Sequence, residues 1–319
     1  LTTFGEIPLS MTIHGVEMNM GDYAAFEILA SPVITSVETD NKFSSKAVQV
    51  GNTVTIKGTG FRNSTISSAT FGGQDLNYTV VSDTEITASV SEQCAEGEDV
   101  ITFKFDDVVV DVVSSDKLNM LKAGSDISDY ILTNVKQPFE SKEGKTSGHC
   151  TPVGWKFNYG AGNDGFCHNE SEIEMPGEGL YMNDQGGLLV IQSGWEGRSK
   201  KMNGKMFQTF NIPQGVYDVV IDVAELATNG SGRKKAGLFI SKGGEEQTPN
   251  MDASGNWTEN TNLLKSVDFY MPGETYSENY KDQRFVIENL TINYEGETTL
   301  GFVVHFDSNR ALKISSIKV

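Results

Sequence analysis

The sequence predicts an all-β protein made of two successive β-sandwiches, and three observations carry that expectation. Helical periodicity is nearly absent: the longest candidate, Ala123 to Val135, is short and leads into a polar stretch. Strand periodicity is everywhere by contrast. Val48, Val50, Val54 and Ile56 keep even spacing with polar residues mostly between them, as do Ile101, Phe103 and Phe105, which is the pattern of half-buried strands. Finally, 319 residues with 33 Gly and only 8 Pro suit strands joined by tight turns, in a chain long enough for two domains of roughly 100–200 residues each.

Residues 1–30 are too few for a domain. Pro8 to His14 and Ala24 to Leu29 read as strands turned at Gly15 and Gly21-Asp22, a β leader or the remnant of an upstream domain. Residues 31–122 form one block. It opens with Pro32-Val33-Ile34-Thr35-Ser36, continues through Gly51-Asn52-Thr53-Val54-Thr55-Ile56-Lys57-Gly58-Thr59-Gly60-Phe61, and passes Thr70-Phe71-Gly72-Gly73 and Ser82-Asp83-Thr84-Glu85-Ile86. Gly58 and Gly60 permit the turn before Phe61 enters the core, and Gly72-Gly73 make a tight hairpin. Ser82-Asp83-Thr84 supplies side-chain acceptors for the next turn. Ala123 to Asp126 is the expected linker to the last domain, 123–319. There Gly187–Gln192, Gly215–Ala224, Gly237–Ser241, Phe285–Tyr294, Thr299–Phe306 and Leu312–Val319 read as strands.

The motifs of the 31–122 block resemble the IPT/TIG immunoglobulin-like domain, which in that family acts as a spacer or interaction module. The Phe207–Ile221 hairpin with its Pro213-Gln214-Gly215-Val216-Tyr217 turn, and the closing Gly301-Phe302 … Arg310 … Ile314 … Ile317 strands, resemble a galactose-binding-type jelly roll found in many carbohydrate-binding modules. The order of leader, immunoglobulin-like sandwich and larger jelly-roll sandwich resembles the surface glycan-binding lipoproteins of polysaccharide-utilisation systems in Bacteroidetes. That resemblance implies a non-catalytic protein facing outward from the outer membrane, held by a lipid on a cysteine outside this sequence. It further implies binding of polysaccharide or oligosaccharide and partnership with an outer-membrane glycan transporter. The alternatives are a structural or adhesive surface protein that binds another protein, and a glycan-active enzyme.

A pyranose offers one apolar C–H face and a rim of hydroxyls, so it calls for an exposed aromatic platform beside planar polar groups. Trp257, in the polar stretch Ser254-Gly255-Asn256-Trp257-Thr258, and Trp195, in Gly194-Trp195-Glu196-Gly197-Arg198, are the expected platforms. Replacing either is expected to weaken polysaccharide retention without changing thermal stability. Asn256, Arg198, Asn309 and Arg310 are the expected hydrogen-bonding partners, although Arg310 could equally pair with a carboxylate. Trp155 is a further candidate whose alternation with Phe157 and Tyr159 also fits a core strand. Tyr270, Tyr276 and Tyr280 rank below these. No cofactor is expected. The galactose-binding resemblance allows a structural calcium, for which Asn163, Asp164 and Glu170 supply oxygen ligands, but a solvated polar loop explains them as well.

Composition excludes several functions. With 25 basic and 43 acidic residues the net charge is −18, and no basic cluster offsets it, so nucleic acid is not an expected partner. No apolar run reaches the length of a membrane helix. The three cysteines, Cys94, Cys150 and Cys167, leave one unpaired in any arrangement; Cys150 and Cys167 are either bridged or two buried thiols. His149-Cys150 and Cys167-His168 place neighbouring side chains on opposite faces, which argues against a convergent zinc site. No nucleophile elbow, zinc-binding helix or phosphate-cradling loop appears, so no enzyme is expected.

Overall fold

Apolar alternation in the first half resolves into two facing sheets. The computed structural model describes residues 5–8, 10–14, 16–19, 25–42, 44–106, 108, 110–142, 144, 148–149, 152–158, 181–182, 187–193, 202–232, 234–252, 254–273, 275, 278–307 and 309–319. The chain divides into two units, Leu1–Ser125 and Asp126–Val319. The first begins with β1 (Gly5–Pro8), β2 (Ser10–Ile13), β3 (Val16–Asn19) and β4 (Ala25–Ile28), in which β2 pairs with β3 and β1 with β4.

Next come β5 (Val33–Thr39), β6 (Ala47–Gln49), β7 (Thr53–Thr59), β8 (Ile66–Phe71), β9 (Gln74–Asp75), β10 (Asn77–Ser82), β11 (Glu85–Ser89), β12 (Gly97–Phe105) and β13 (Val112–Leu121). Their sheet orders are β10-β11-β7-β5 and β6-β13-β12-β8-β9. Ile56, Ile86, Phe71 and Phe103 interleave from the two sheets, with Phe61 driven into the same core, and Tyr78 meets Phe103 edge-on at 6.0 Å. The β8–β9 turn has left-handed φ at both Gly72 (57°) and Gly73 (69°), the geometry that a two-residue hairpin requires. Asp83 braces the turn before Phe61, accepting from the backbone N–H groups of Gly60 (3.2 Å) and Arg62 (3.1 Å).

The second unit opens with a single helical turn, α1 (Ser128–Ile131), within the short stretch that is the longest helical candidate in the sequence. It continues with β14 (Gly148–His149), β15 (Lys156–Asn158), β16 (Tyr181–Met182), β17 (Leu189–Gln192), β18 (Met202–Asn211), β19 (Gly215–Thr228), β20 (Lys234–Lys242), β21 (Leu263–Tyr270), β22 (Tyr280–Ile292), β23 (Glu297–Phe306) and β24 (Arg310–Lys318). A five-stranded antiparallel sheet, β15-β18-β23-β20-β21, faces a four-stranded one, β17-β24-β19-β22. Phe269 and Phe285 meet across the gap between the sheets with ring centres 4.5 Å apart and planes tilted by 57°. On the long edge strand β22, Asp282 (φ 50°) and Asn289 (φ 55°) adopt left-handed backbone, and the Asn289 N–H is taken by the Asp218 carboxylate.

The middle of the five-stranded sheet is buried on both faces. Phe207, Gly301 and Phe239 lie in one cross-strand row pointing away from the other sheet; Lys205, Val303 and Gly237 form the next. The segment 243–262, which starts with the 3-10 turn Glu245–Gln247, folds over these rows. It brings Met251, Trp257 and Leu263 against Phe207, Phe239 and Val303 as a small second core. Lys205 holds the cover down by donating to the Asn250 side chain (2.8 Å), and His305 Nδ1 lies 3.1 Å from the Asp252 carbonyl oxygen.

Candidate functional site

Trp257 is the expected platform whose position is clearest, and it is partly buried. Its ring lies flat over Gly237, where a Cβ would come within 2.5 Å of Cζ2, so only glycine leaves room for it. Its Nε1–H donates to Asp268 Oδ1 at 2.7 Å. Asn256 is exposed beside it, with its backbone N–H on Asp252 Oδ1 (2.9 Å) and its amide on Asp252 Oδ2 (3.3 Å). The backbone N–H of Asn256, then its amide and the N–H groups of Ser254 and Gly255, hold the Asp252 carboxyl below the ordinary carboxylate range against a smaller opposing effect of desolvation.

Two expectations are corrected. Trp155 is core: it is 2% exposed, packs against Phe302 at 5.9 Å between ring centres, and donates Nε1–H to the Asn134 carbonyl. Arg310 is also unavailable to a ligand. It is 1% exposed and closes the end of the sandwich, donating to the carbonyls of Gly230 (2.7 Å) and Ser231 (2.6 Å) and more weakly to Asn229. Three backbone carbonyls accept from the fork. Asn309 turns the preceding loop in left-handed backbone (φ 63°), with its side-chain oxygen buried. Ser193, just before Trp195, is tied to the same end, because the Arg310 N–H donates to its hydroxyl at 2.9 Å. Trp195, Arg198, Asn163, Asp164, Glu170, Cys150 and Cys167 lie outside the described residues. Cys94 is a buried free thiol.

Tyr270, ranked below the tryptophans in the sequence, is the most exposed large aromatic among the described residues. It ends β21 on the outer face, 81% exposed, with Lys235 as its cross-strand partner. Ser266 and Asp268 precede it on the same face and are also exposed. The signal was present in Leu263-Leu264-Lys265-Ser266-Val267-Asp268-Phe269-Tyr270, where Val267 and Phe269 alternate with polar positions, but this segment was not read as a strand. Among the described residues no group of three or more His, Cys, Asp or Glu is placed to hold a metal ion. No described helix is long and apolar enough to cross a membrane.

Comparison with known families separates the halves of the chain. The IPT/TIG domain model matches residues 32–117, over the sandwich whose core holds Phe61, Phe71 and Phe103. Residues 32–117 are an IPT/TIG domain. Residues 133–275 match a domain of unknown function, DUF5013. No match is found among curated protein sequences. Solved structures with similarity include SGBP-B from a complex xyloglucan utilization locus in Bacteroides uniformis (15% identity, 98% of this chain and 81% of that one, TM-score 0.24). Others are TmCBM61 in complex with β-1,4-galactotriose (14%, 52% and 87%, TM-score 0.29) and the K3 adhesin domain of Lys-gingipain from Porphyromonas gingivalis (12%, 56% and 95%, TM-score 0.31). At such overlaps these similarities assign no function to the chain. The IPT/TIG domain itself offers an open groove of about 580 Å³ between Ser31–Ile34 and Val108–Val113, lined mainly by valines and without an aromatic platform.

Proposed function

We propose that the carboxyl-terminal sandwich binds carbohydrate without catalysis, and that the IPT/TIG domain serves as its spacer. The observation that carries this reading is Tyr270: a large aromatic face left open to solvent, two residues along β21 from Asp268, whose carboxylate holds the Trp257 indole. An aromatic this exposed gains nothing by packing, whereas stacking on the C–H face of a sugar buries it. Display at the outer surface, a lipid anchor, delivery to a glycan transporter and a structural calcium belong to this proposal as the resemblance implied them.

The test is native electrophoresis through gels cast with β-1,4-galactan, xyloglucan or mixed-linkage β-glucan, comparing the wild type with Tyr270→Ala. Wild type is expected to be retarded in at least one gel and the variant to run freely at an unchanged Tm. Equal retardation of both would remove Tyr270 from the site, and free migration of the wild type in all three gels would refute the carbohydrate reading.

A further inference from the structure

The covered face of the five-stranded sheet decides where a ligand can lie. The 243–262 segment occupies the outer face of β23 and β20: Asp252 sits over His305, Gly255 presses on the stem of Lys235, and Trp257 fills the space above Gly237. A sugar chain therefore cannot cross the middle of this sheet. The cover meets β21 at Leu263, which packs with Met251 and Trp257, and at Asp268 through the Trp257 hydrogen bond, while the outer positions Ser266, Asp268 and Tyr270 remain exposed. On β20 Ser266 is opposite the buried Phe239 and Asp268 opposite the buried Gly237, while Tyr270 is opposite the exposed Lys235. The result is a shelf whose floor is the edge strand and whose wall is the cover.

We infer that this shelf binds a linear polysaccharide backbone running along β21, over several sugar units, and not a single terminal sugar. The inference rests on the carbohydrate reading above. Four residues at about 3.4 Å each make the floor about 14 Å long, more than one pyranose occupies. The aromatic stands at one end, with a carboxylate in the middle and a hydroxyl at the other. An apolar face for stacking is thus followed by acceptors and a donor for the hydroxyls of the next units. Asp268 accepts from Trp257 Nε1 through one oxygen, and its remaining lone pairs face the exposed shelf. Trp257 is a positioning residue here, a wall that fixes Asp268, while Tyr270 is the stacking surface.

The experiment places bulk at the end of the shelf far from Tyr270. In the galactan, xyloglucan and mixed-linkage glucan gels, Ser266→Arg is expected to lose retention at least tenfold, as Tyr270→Ala does, whereas Ser266→Ala, which loses one hydrogen bond without adding bulk, weakens it by no more than about fivefold. Ser266→Glu repeats the blockade should the Arg variant shift the Tm. In calorimetry, the monosaccharide of the retained polymer is expected to bind at least tenfold more weakly than its linear tetrasaccharide. Wild-type retention by both bulky Ser266 variants, with Tyr270→Ala still defective, would overturn the shelf and leave carbohydrate binding standing. Equal affinity for mono- and tetrasaccharide would do the same. Absence of wild-type retention in every gel would overturn both.

Discussion

Replacing Trp257 by Ala tests whether its ring is a wall packed on the sheet or an open platform. The structure lays the ring on Gly237 and against the Phe207, Phe239 and Val303 cluster, which leaves it partly buried. A Trp in such a position hides roughly 150 Å² of apolar surface. At about 25 cal/mol per Å² that is about 4 kcal/mol, and residual burial in the unfolded chain lowers it to about 3 kcal/mol. The Nε1–Asp268 bond, open to water on one side, adds at most about 1 kcal/mol. For a domain of this size each kcal/mol moves Tm by about 2–4 °C, so differential scanning calorimetry should show a loss of roughly 6–16 °C. Trp257→Phe keeps most of the packing and should lose about a third of that. Tyr270→Ala, at an exposed position, should stay within about 0.5 kcal/mol of wild type. A Trp257→Ala protein that melts within about 2 °C of wild type would refute the packed wall, because a partly buried ring cannot be removed so cheaply.

Arg310→Met removes the donors that satisfy the carbonyls of Gly230 and Ser231; about 3 kcal/mol should be lost, read as a lower Tm, with polysaccharide retention by the folded protein unchanged. Gly58→Ala would put a Cβ 2.0 Å from the Val33 carbonyl oxygen, so the IPT/TIG domain should lose about 2 kcal/mol or more by denaturant titration, with retention again unaffected. The sandwich should also be acid-sensitive. The Glu225 carboxyl is desolvated, but its hydrogen bond and attraction to Lys313, with help from Asn279 and Lys281, hold it below the ordinary value; Asp222 is held down by Arg284, then by Ser316 against opposing desolvation. Folded-state values below the unfolded ones mean stability that is complete above about pH 4.5 and is lost as pH falls through the folded values. Tm should therefore drop steeply below about pH 4. Glu225→Gln should flatten part of that drop and lower the Tm at neutral pH by leaving Lys313 without its partner.

Period-two alternation was enough to place both sandwiches, because each half-buried strand writes its own face into the sequence. The cover was not legible in the same way. Gly237-Leu238-Phe239-Ile240 and Gly301-Phe302-Val303-Val304 are continuous apolar runs, the mark of strands covered on both sides. No local rule says which distant segment supplies the cover, and 243–262 is polar enough to pass for an open loop. That is why Trp257 read as a platform: its neighbours are polar in sequence, while its packing partners are Gly237 and Phe239. Arg310 misled for the opposite reason. Asp307-Ser308-Asn309-Arg310 looks solvated, yet cross-strand pairing with Thr228 points its side chain between the sheets, where the 229–231 carbonyls wait. Trp155 carried both readings in its alternation, and packing against Phe302 settled it as core.

The kinks at Asp282 and Asn289 on β22 bear on how such a chain behaves when many copies are crowded together. A long edge strand ordinarily offers a row of unpaired N–H and C=O groups that a second molecule can zip onto. Two left-handed residues break the row into short pieces, and the Asp218 carboxylate occupies one of the donors a neighbour would need. Lys281 and Arg284, with Asp282 and Glu288, add charges that any docking strand would have to desolvate. Between the kinks the uninterrupted edge is cut to the six residues Gln283–Glu288, two of them charged. Dense packing of this protein should therefore meet an edge that is both interrupted and costly to desolvate.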